Sequence, residues 1–262
     1  MIDPSASIHA TAIVHPGARI AAGVRVGPYS IVGEHVEIGE RTRIGPHVVI
    51  EGHTRIGCDN EIFQFCSIGA SPQDKKYDAE PTRLEIGDRN TIREFCSFNV
   101  GTSQDAHITH IGSDNWIMAY VHIAHDCHVG NHTTFANNAT LAGHVHVGDW
   151  AILGGFTGVH QFCRVGAHSF CGVGTVLLQD LPPFVTVAGN PGKPHGINSE
   201  GLRRRGYSAE AIAGVKRAYR TLYRSGLSLE EARQRVAEIA AAQPEVALFS
   251  DFIAESGRGL VR

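Results

Sequence analysis

Isoleucine or valine recurs every six residues from the start of the chain. Stepping by six from Ile2 meets Ile8, Val14, Ile20, Val26, Val32, Ile38, Ile44, Ile50, Ile56, Ile62 and Ile68. The chain is 42% hydrophobic overall, so twelve apolar positions in one preset phase would arise by chance about 3 times in 100,000. The pattern returns at Ile86, Ile92 and Phe98. It restarts at Ile111 and continues through Ile117, Ile123, Val129, Phe135, Leu141, Val147, Leu153, Val159, Val165, Cys171 and Leu177.

A period of six suits neither a 3.6-residue helical turn nor the two-residue alternation of one strand. It suits short strands joined by tight corners, each turning one side chain into a narrow core. β-Branched residues pack well there. Three segments make a triangular coil of about 18 residues, and coils stack as parallel strands. Glycine follows many inward positions, at Gly27, Gly33, Gly39, Gly45, Gly57 and Gly69. These glycines are expected to supply positive φ at the corners. A sandwich or barrel with accidental spacing is the alternative.

Two stretches break the rhythm. Residues 70–85 are polar and carry no repeat, and residues 99–110 shift the phase by one. Both read as loops thrown out from the coils, where a rigid scaffold tends to carry binding residues. After Leu177, "QDLPPFVTVAGNPGKPHG" reads as a Pro- and Gly-rich linker. Helical signals follow. Ser208 caps "AEAIAGVKRAYRTLYRS", Ser228 and Glu231 form a capping box for "LEEARQRVAEIAAA", and Pro244 opens a third helix. The expected fold class is mainly β: a parallel β-helix of hexapeptide repeats over 1–190, then a C-terminal α-helical domain over 191–262.

The net charge of −3 leaves no global positive excess for a nucleic-acid backbone. No apolar run reaches membrane-spanning length, and "MIDPSASIHA" lacks the pattern of a signal peptide. The six cysteines form no C-x-x-C pair, so no zinc knuckle or dithiol motif is indicated. Reduced thiols in a cytoplasmic setting are expected.

The densest chemistry lies in "VHIAHDCHVGNH", residues 121–132. In a regular coil, residues 18 apart stack. His125 then lies under Gly143 and Gln161, Asp126 under His144, His122 under Thr140, and Ala124 under Ala142 and His160. Gly143 sets bare backbone beside the His125 imidazole, leaving room for a substrate and an available N–H. A base beside a backbone donor is the minimal kit for acyl transfer, and Asp126 can hold the imidazole in one tautomer. Solvated corner histidines are the alternative, and that reading is preferred for His128 and His132. A metal needs three converging ligands. There is no H-E-x-x-H and no cysteine ligand pattern, so neither a metal nor a cofactor is expected.

The hexapeptide coils with "VHIAHDCHVG", "ANNATLAGHVHVGD" and "GVHQFC", followed by "GINSEGLRRRGYS", resemble the UDP-N-acetylglucosamine O-acyltransferases, which open lipid A synthesis. The likeness runs over essentially the whole chain. It implies a left-handed β-helix, which the column arithmetic alone does not give. It further implies a homotrimer with sites in the clefts between subunits. The implied reaction moves a 3-hydroxyacyl chain from acyl carrier protein to the 3-hydroxyl of UDP-N-acetylglucosamine.

By this resemblance His125 is the general base, Asp126 its orienting partner and Gly143 the oxyanion donor. Asp74 and Lys76 match sugar-holding residues. His122, His144 and Gln161 match further sugar or nucleotide contacts, and His160 matches an active-site histidine. Asn198, Glu200, Arg204 and Arg205 match nucleotide-side residues, with the arginines suited to a diphosphate. Val173 falls where the family's acyl ruler often has glycine, so an acyl chain shorter than fourteen carbons is expected.

Lys216, Arg217, Arg220 and Arg224 cluster on one helical face. Acyl carrier proteins are strongly acidic, so this face is a candidate dock; a merely solvated face is the alternative. Competing readings of the whole chain are a related N-acyltransferase or acetyl-CoA-dependent acetyltransferase, a metal-dependent β-helix hydratase, and a catalytically silent scaffold.

Overall fold

The computed structural model describes residues 1–262. From Ser7–Ile8 to Val176–Leu177 the chain winds through short strands, mostly of two residues, and each up to Gly158–Val159 pairs in parallel with the strand three further on. The result is a triangular prism with three flat faces. In each strand the second residue turns inward, and Ile50, Ile68, Phe98, Ile123 and Leu141 are wholly buried in a single file. Burying each such side chain contributes roughly 1.5–3 kcal/mol. The register is the expected one: His122 pairs with Thr140, and Thr140 with Gly158.

The two breaks in the period are loops of 71–82 and 100–107, each bounded by longer strands such as Ser67–Ala70, Arg83–Ile86 and Ile108–Ile111. The first lengthens one coil so that Asn90 sits 30 residues from Asn60. The second gives a coil in which Ser97 meets His122, 25 residues on. Both loops leave the prism at the same edge.

The corners correct one expectation. Positive φ is not carried by Gly27, Gly33, Gly39, Gly45 or Gly57; of the six glycines only Gly69 has it. The left-handed residue is instead the second of each turn, and it is usually not glycine: Asp126 (φ 57°), His144 (φ 61°) and Phe162 (φ 63°) occupy one edge. Asn, Asp and His tolerate this region better than most residues. The glycines serve close approach. A Cβ on Gly39 would lie 2.6 Å from the Gly57 carbonyl carbon, and one on Gly27 would lie 2.8 Å from that of Gly45.

Corner side chains stack from coil to coil. Tyr29, His47, Phe65, Phe95 and Tyr120 form one ladder with centroids 4.8–5.2 Å apart. His132 stacks on Trp150 at 4.1 Å along another edge, and His128 lies on a face between His110 and His146. Neither touches His125.

The β-portion closes with Val185–Ala188 paired antiparallel to Lys193–Ile197. The boundary drawn at 190/191 falls inside this hairpin. Helix α1 (Ser199–Arg204), not among the three expected, precedes α2 (Ala209–Arg224) and α3 (Leu229–Ala242). The Ser208 cap and the Ser228–Glu231 capping box form as expected. Pro244 opens a short 3-10 turn before α4 (Ala247–Glu255). One contiguous core runs from the prism through Leu202, Val215, Phe249 and Ile253. The helices therefore pack as part of the same body. No helix is long and apolar enough to cross a membrane.

Candidate active site

His125 and Asp126 form the corner between strands His122–Ile123 and His128–Val129. The His125 Nδ1 lies 2.9 Å from Asp126 Oδ2. Asp126 is buried, and its side chain is 1% exposed. It accepts from Thr102 twice, the hydroxyl at 2.6 Å on Oδ2 and the backbone N–H at 2.9 Å on Oδ1. Burial alone would raise this carboxyl. The hydrogen bonds from His125 and Thr102 outweigh it and hold the group below its ordinary range. An ionised Asp126 fixes the proton of His125 on Nδ1 and leaves Nε2 as the acceptor.

Gly143 packs directly on that ring. A Cβ there would sit 2.5 Å from His125 Cε1 and 2.7 Å from Nε2. The Gly143 N–H makes no hydrogen bond within the chain. His144, at the next position, meets the His125 ring edge-on at 5.0 Å. Its Nδ1 is 2.7 Å from Asp105 Oδ2 and 3.9 Å from Asp126 Oδ2. Phe162 stacks behind His144 at 4.4 Å.

His122 borders the same edge, half-buried, with Nδ1 2.8 Å from Ser97 Oγ. Burial, and to a lesser extent the nearby His125, push its pKa down. His160 and Gln161 are exposed one coil above Ala142 and Gly143, and Phe162 N donates to Gly143 O at 3.1 Å. His122, His125, Asp126, Gly143, His144, His160 and Gln161 therefore lie along one edge, as stacking at 18-residue intervals predicts. Asp74 and Lys76 lie in the 71–82 loop of that edge, where Asp74 Oδ1 accepts the Lys76 N–H at 3.0 Å. They do not contact His125.

Other expected residues lie elsewhere on the prism. Val173 is 77% exposed on a second edge, above Asn137 and Gly155. Asn198 caps α1 and reaches His168 O at 3.0 Å on the third edge. Arg205 meets His168 Nδ1 at 3.3 Å and Trp150 O at 3.1 Å, with its guanidinium over the Trp150 ring. Glu200 pairs with Arg203 and Arg204 at 2.9 and 3.0 Å. Within one chain these residues are not brought to His125.

Residues 180–261 match the family model described as UDP N-acetylglucosamine O-acyltransferase, domain 2, and residues 17–52 and 108–143 match the bacterial transferase hexapeptide model. The acyl-[acyl-carrier-protein]–UDP-N-acetylglucosamine O-acyltransferase of Thiobacillus denitrificans is 62% identical over 203 residues, 78% of this chain and 79% of that protein. The chain belongs to the UDP-N-acetylglucosamine O-acyltransferase family.

Among solved structures, the UDP-N-acetylglucosamine O-acyltransferase of Moraxella catarrhalis is 47% identical with a TM-score of 0.95, covering 97% of this chain and 99% of that one. The UDP-N-acetylglucosamine acyltransferase of Francisella novicida is 42% identical with a TM-score of 0.96, covering 97% and 94%. The fold is a left-handed parallel β-helix, against the usual right-handed preference of parallel crossovers.

Two alternatives to an O-acyltransferase base meet the geometry directly. Cys127, beside the dyad, is fully buried; its Sγ donates to Ala142 O at 3.1 Å, and burial pushes the thiol up to about 12. It is not poised as a nucleophile. For a metal, His125, Asp126 and His144 offer ligand atoms within 4.8 Å of one another, a grouping closer than the sequence pattern indicates. Both Nδ1 atoms already face carboxylates, so hydrogen bonding accounts for the arrangement.

Sequence reasoning misses Thr102, Asp105 and Thr109. They lie in or beside the 100–107 loop, where the 18-residue arithmetic breaks. Allowing for the 25-residue coil leads to within one residue of Thr102.

Proposed function

We propose that this chain transfers a 3-hydroxyacyl group from acyl carrier protein to the 3-hydroxyl of UDP-N-acetylglucosamine, with His125 as general base. The observation that carries this reading is the His125–Gly143 contact. It gives Nε2 as proton acceptor and a free backbone N–H beside it. His125 takes the proton of the sugar hydroxyl as the hydroxyl oxygen attacks the thioester carbonyl. The N–H of Gly143 supports the oxyanion. Collapse expels the carrier thiolate, which takes the proton back from His125. Asp126 steadies the imidazolium meanwhile. A thioester is reactive enough that no covalent enzyme intermediate is required.

His122, His144, His160 and Gln161, with Asp74 and Lys76 from the loop, line the sugar side in this reading. Asn198, Glu200, Arg204 and Arg205 serve the nucleotide side, and Val173 bounds the acyl chain. These three groups occupy three different edges of one prism. A site that uses all of them is shared between neighbouring copies, which supports a homotrimer. The exposed Lys216, Arg217, Arg220 and Arg224 of α2 form the carrier-protein dock, and the enzyme works in the cytoplasm.

The test is an assay of pure protein with UDP-N-acetylglucosamine and a panel of 3-hydroxyacyl carrier proteins, following products by mass. His125→Ala should lose turnover while the assembly survives. Normal turnover in that variant overturns the mechanism.

A further inference from the structure

On the catalytic edge above Asp126, each corner N–H donates to the backbone carbonyl one coil below. His144 N reaches His125 O at 3.0 Å, and Phe162 N reaches Gly143 O at 3.1 Å. Under Asp126 the pattern stops. Its N–H goes to the Thr109 hydroxyl at 2.8 Å. The coil below has been opened by the 100–107 loop, and the space is filled by two buried threonines.

Thr102 occupies that opening. It is 24 residues before Asp126 in the chain and 1% exposed. Its hydroxyl and backbone N–H take one carboxylate oxygen each, at 2.6 and 2.9 Å. An ionised carboxylate only accepts, so both groups donate. The two donors hold the carboxylate at two points, with Oδ2 toward His125 Nδ1. The loop is itself anchored on either side. Ser103 Oγ donates to Glu80 Oε1 at 2.7 Å, and Asp105 pairs with His144.

We propose that Thr102 is a positioning residue that sets the Asp126 carboxylate, and through it the His125 imidazole, for proton transfer. This rests on His125 being the base. The other titratable groups around the dyad are His122, His144 and Asp105; none of them donates to Asp126 at the distance Thr102 does. A carboxylate relieved of one donor turns more negative charge toward the imidazolium and aims it less well. Turnover then falls while substrate contacts stay in place.

The experiment compares Thr102→Ala, Thr102→Ser and His125→Ala in the acyl-transfer assay, with melting temperature measured in parallel. Thr102→Ala should lower kcat roughly ten- to a hundredfold, the scale of loss when a catalytic group is misplaced, with KM for both substrates within about twofold. The acid limb of its kcat/KM profile should move to higher pH, because imidazolium is better stabilised. Thr102→Ser should restore both. A folded Thr102→Ala with unchanged kcat and acid limb overturns the proposal. So does a loss that serine does not repair, or a lower melting temperature with normal turnover per folded chain. If His125→Ala is inactive and Thr102→Ala is not impaired, only the positioning role falls. If His125→Ala is active, the base assignment falls as well.

Discussion

The α-carbon of Gly143 faces the His125 ring so closely that a single added methyl group would lie 2.5 Å from Cε1 and 2.7 Å from Nε2. The contact fixes how far the base can move and keeps the neighbouring N–H bare. Gly143→Ala must push the imidazole aside, because the other near atoms belong to that ring. Activity should fall by about two orders of magnitude, with the far-ultraviolet spectrum unchanged. A variant retaining more than half its kcat would contradict this packing.

Val173 stands free at its corner, above Gly155. A branched side chain there shortens any groove running along the edge. Val173→Gly should move the preferred 3-hydroxyacyl donor toward longer chains, measured as the ratio of kcat/KM for fourteen- and ten-carbon donors. An unchanged ratio would remove Val173 from the chain-length device.

His168 is buried among Trp150, Phe184 and Tyr207, beside Arg205. Burial first, and the Arg205 charge second, push its pKa down to about 4. The unfolded chain takes a proton on this histidine near its ordinary value of 6.5, whereas the folded chain resists until about 4. Stability from this group is therefore full above 6.5 and falls as pH drops through that window. The slope reaches at most about 1.4 kcal/mol per pH unit. His168→Gln should flatten the melting temperature between pH 6.5 and 4 relative to the parent; parallel curves would show that His168 does not carry this dependence.

All six cysteines are free, and only Cys58 is not buried. A thiol reagent should modify at most one cysteine per native chain. Cys127→Ala should keep kcat within about twofold and lower stability by about 1 kcal/mol. Rapid labelling of Cys127, or loss of turnover in that variant, would argue against its inert placement.

The frame was open to sequence reasoning because the narrow core demands one apolar residue per six, a period that neither a helix nor a single strand produces. His125 beside Gly143 follows from the same periodicity, since stacked coils convert a sequence interval into a contact. Thr102 and Asp105 escape it because an inserted loop has no period. The glycine pattern is visible but its cause is not: close approach and positive φ both favour glycine, and only the backbone tells them apart. Arg205 illustrates a further limit. Its resemblance-based role points to the nucleotide, yet its guanidinium here holds Trp150 and His168, contacts 55 and 37 residues away that no local signal announces.

The two loops leave the prism very differently in phase. The first inserts a whole number of hexads, and the second does not, so the chain must regain its phase at Ile111. Such a prism behaves like a reading frame written in space. Deleting one residue between Ile117 and Leu177 would turn each later inward side chain out toward water and move every later corner off its edge. Substitution of an outward side chain is local in this architecture, whereas slippage is ruinous. New specificity therefore has one safe place to arise, the 71–82 loop, where length can change before the frame is resumed; Thr102 and Asp105 tie the 100–107 loop to Asp126 and His144.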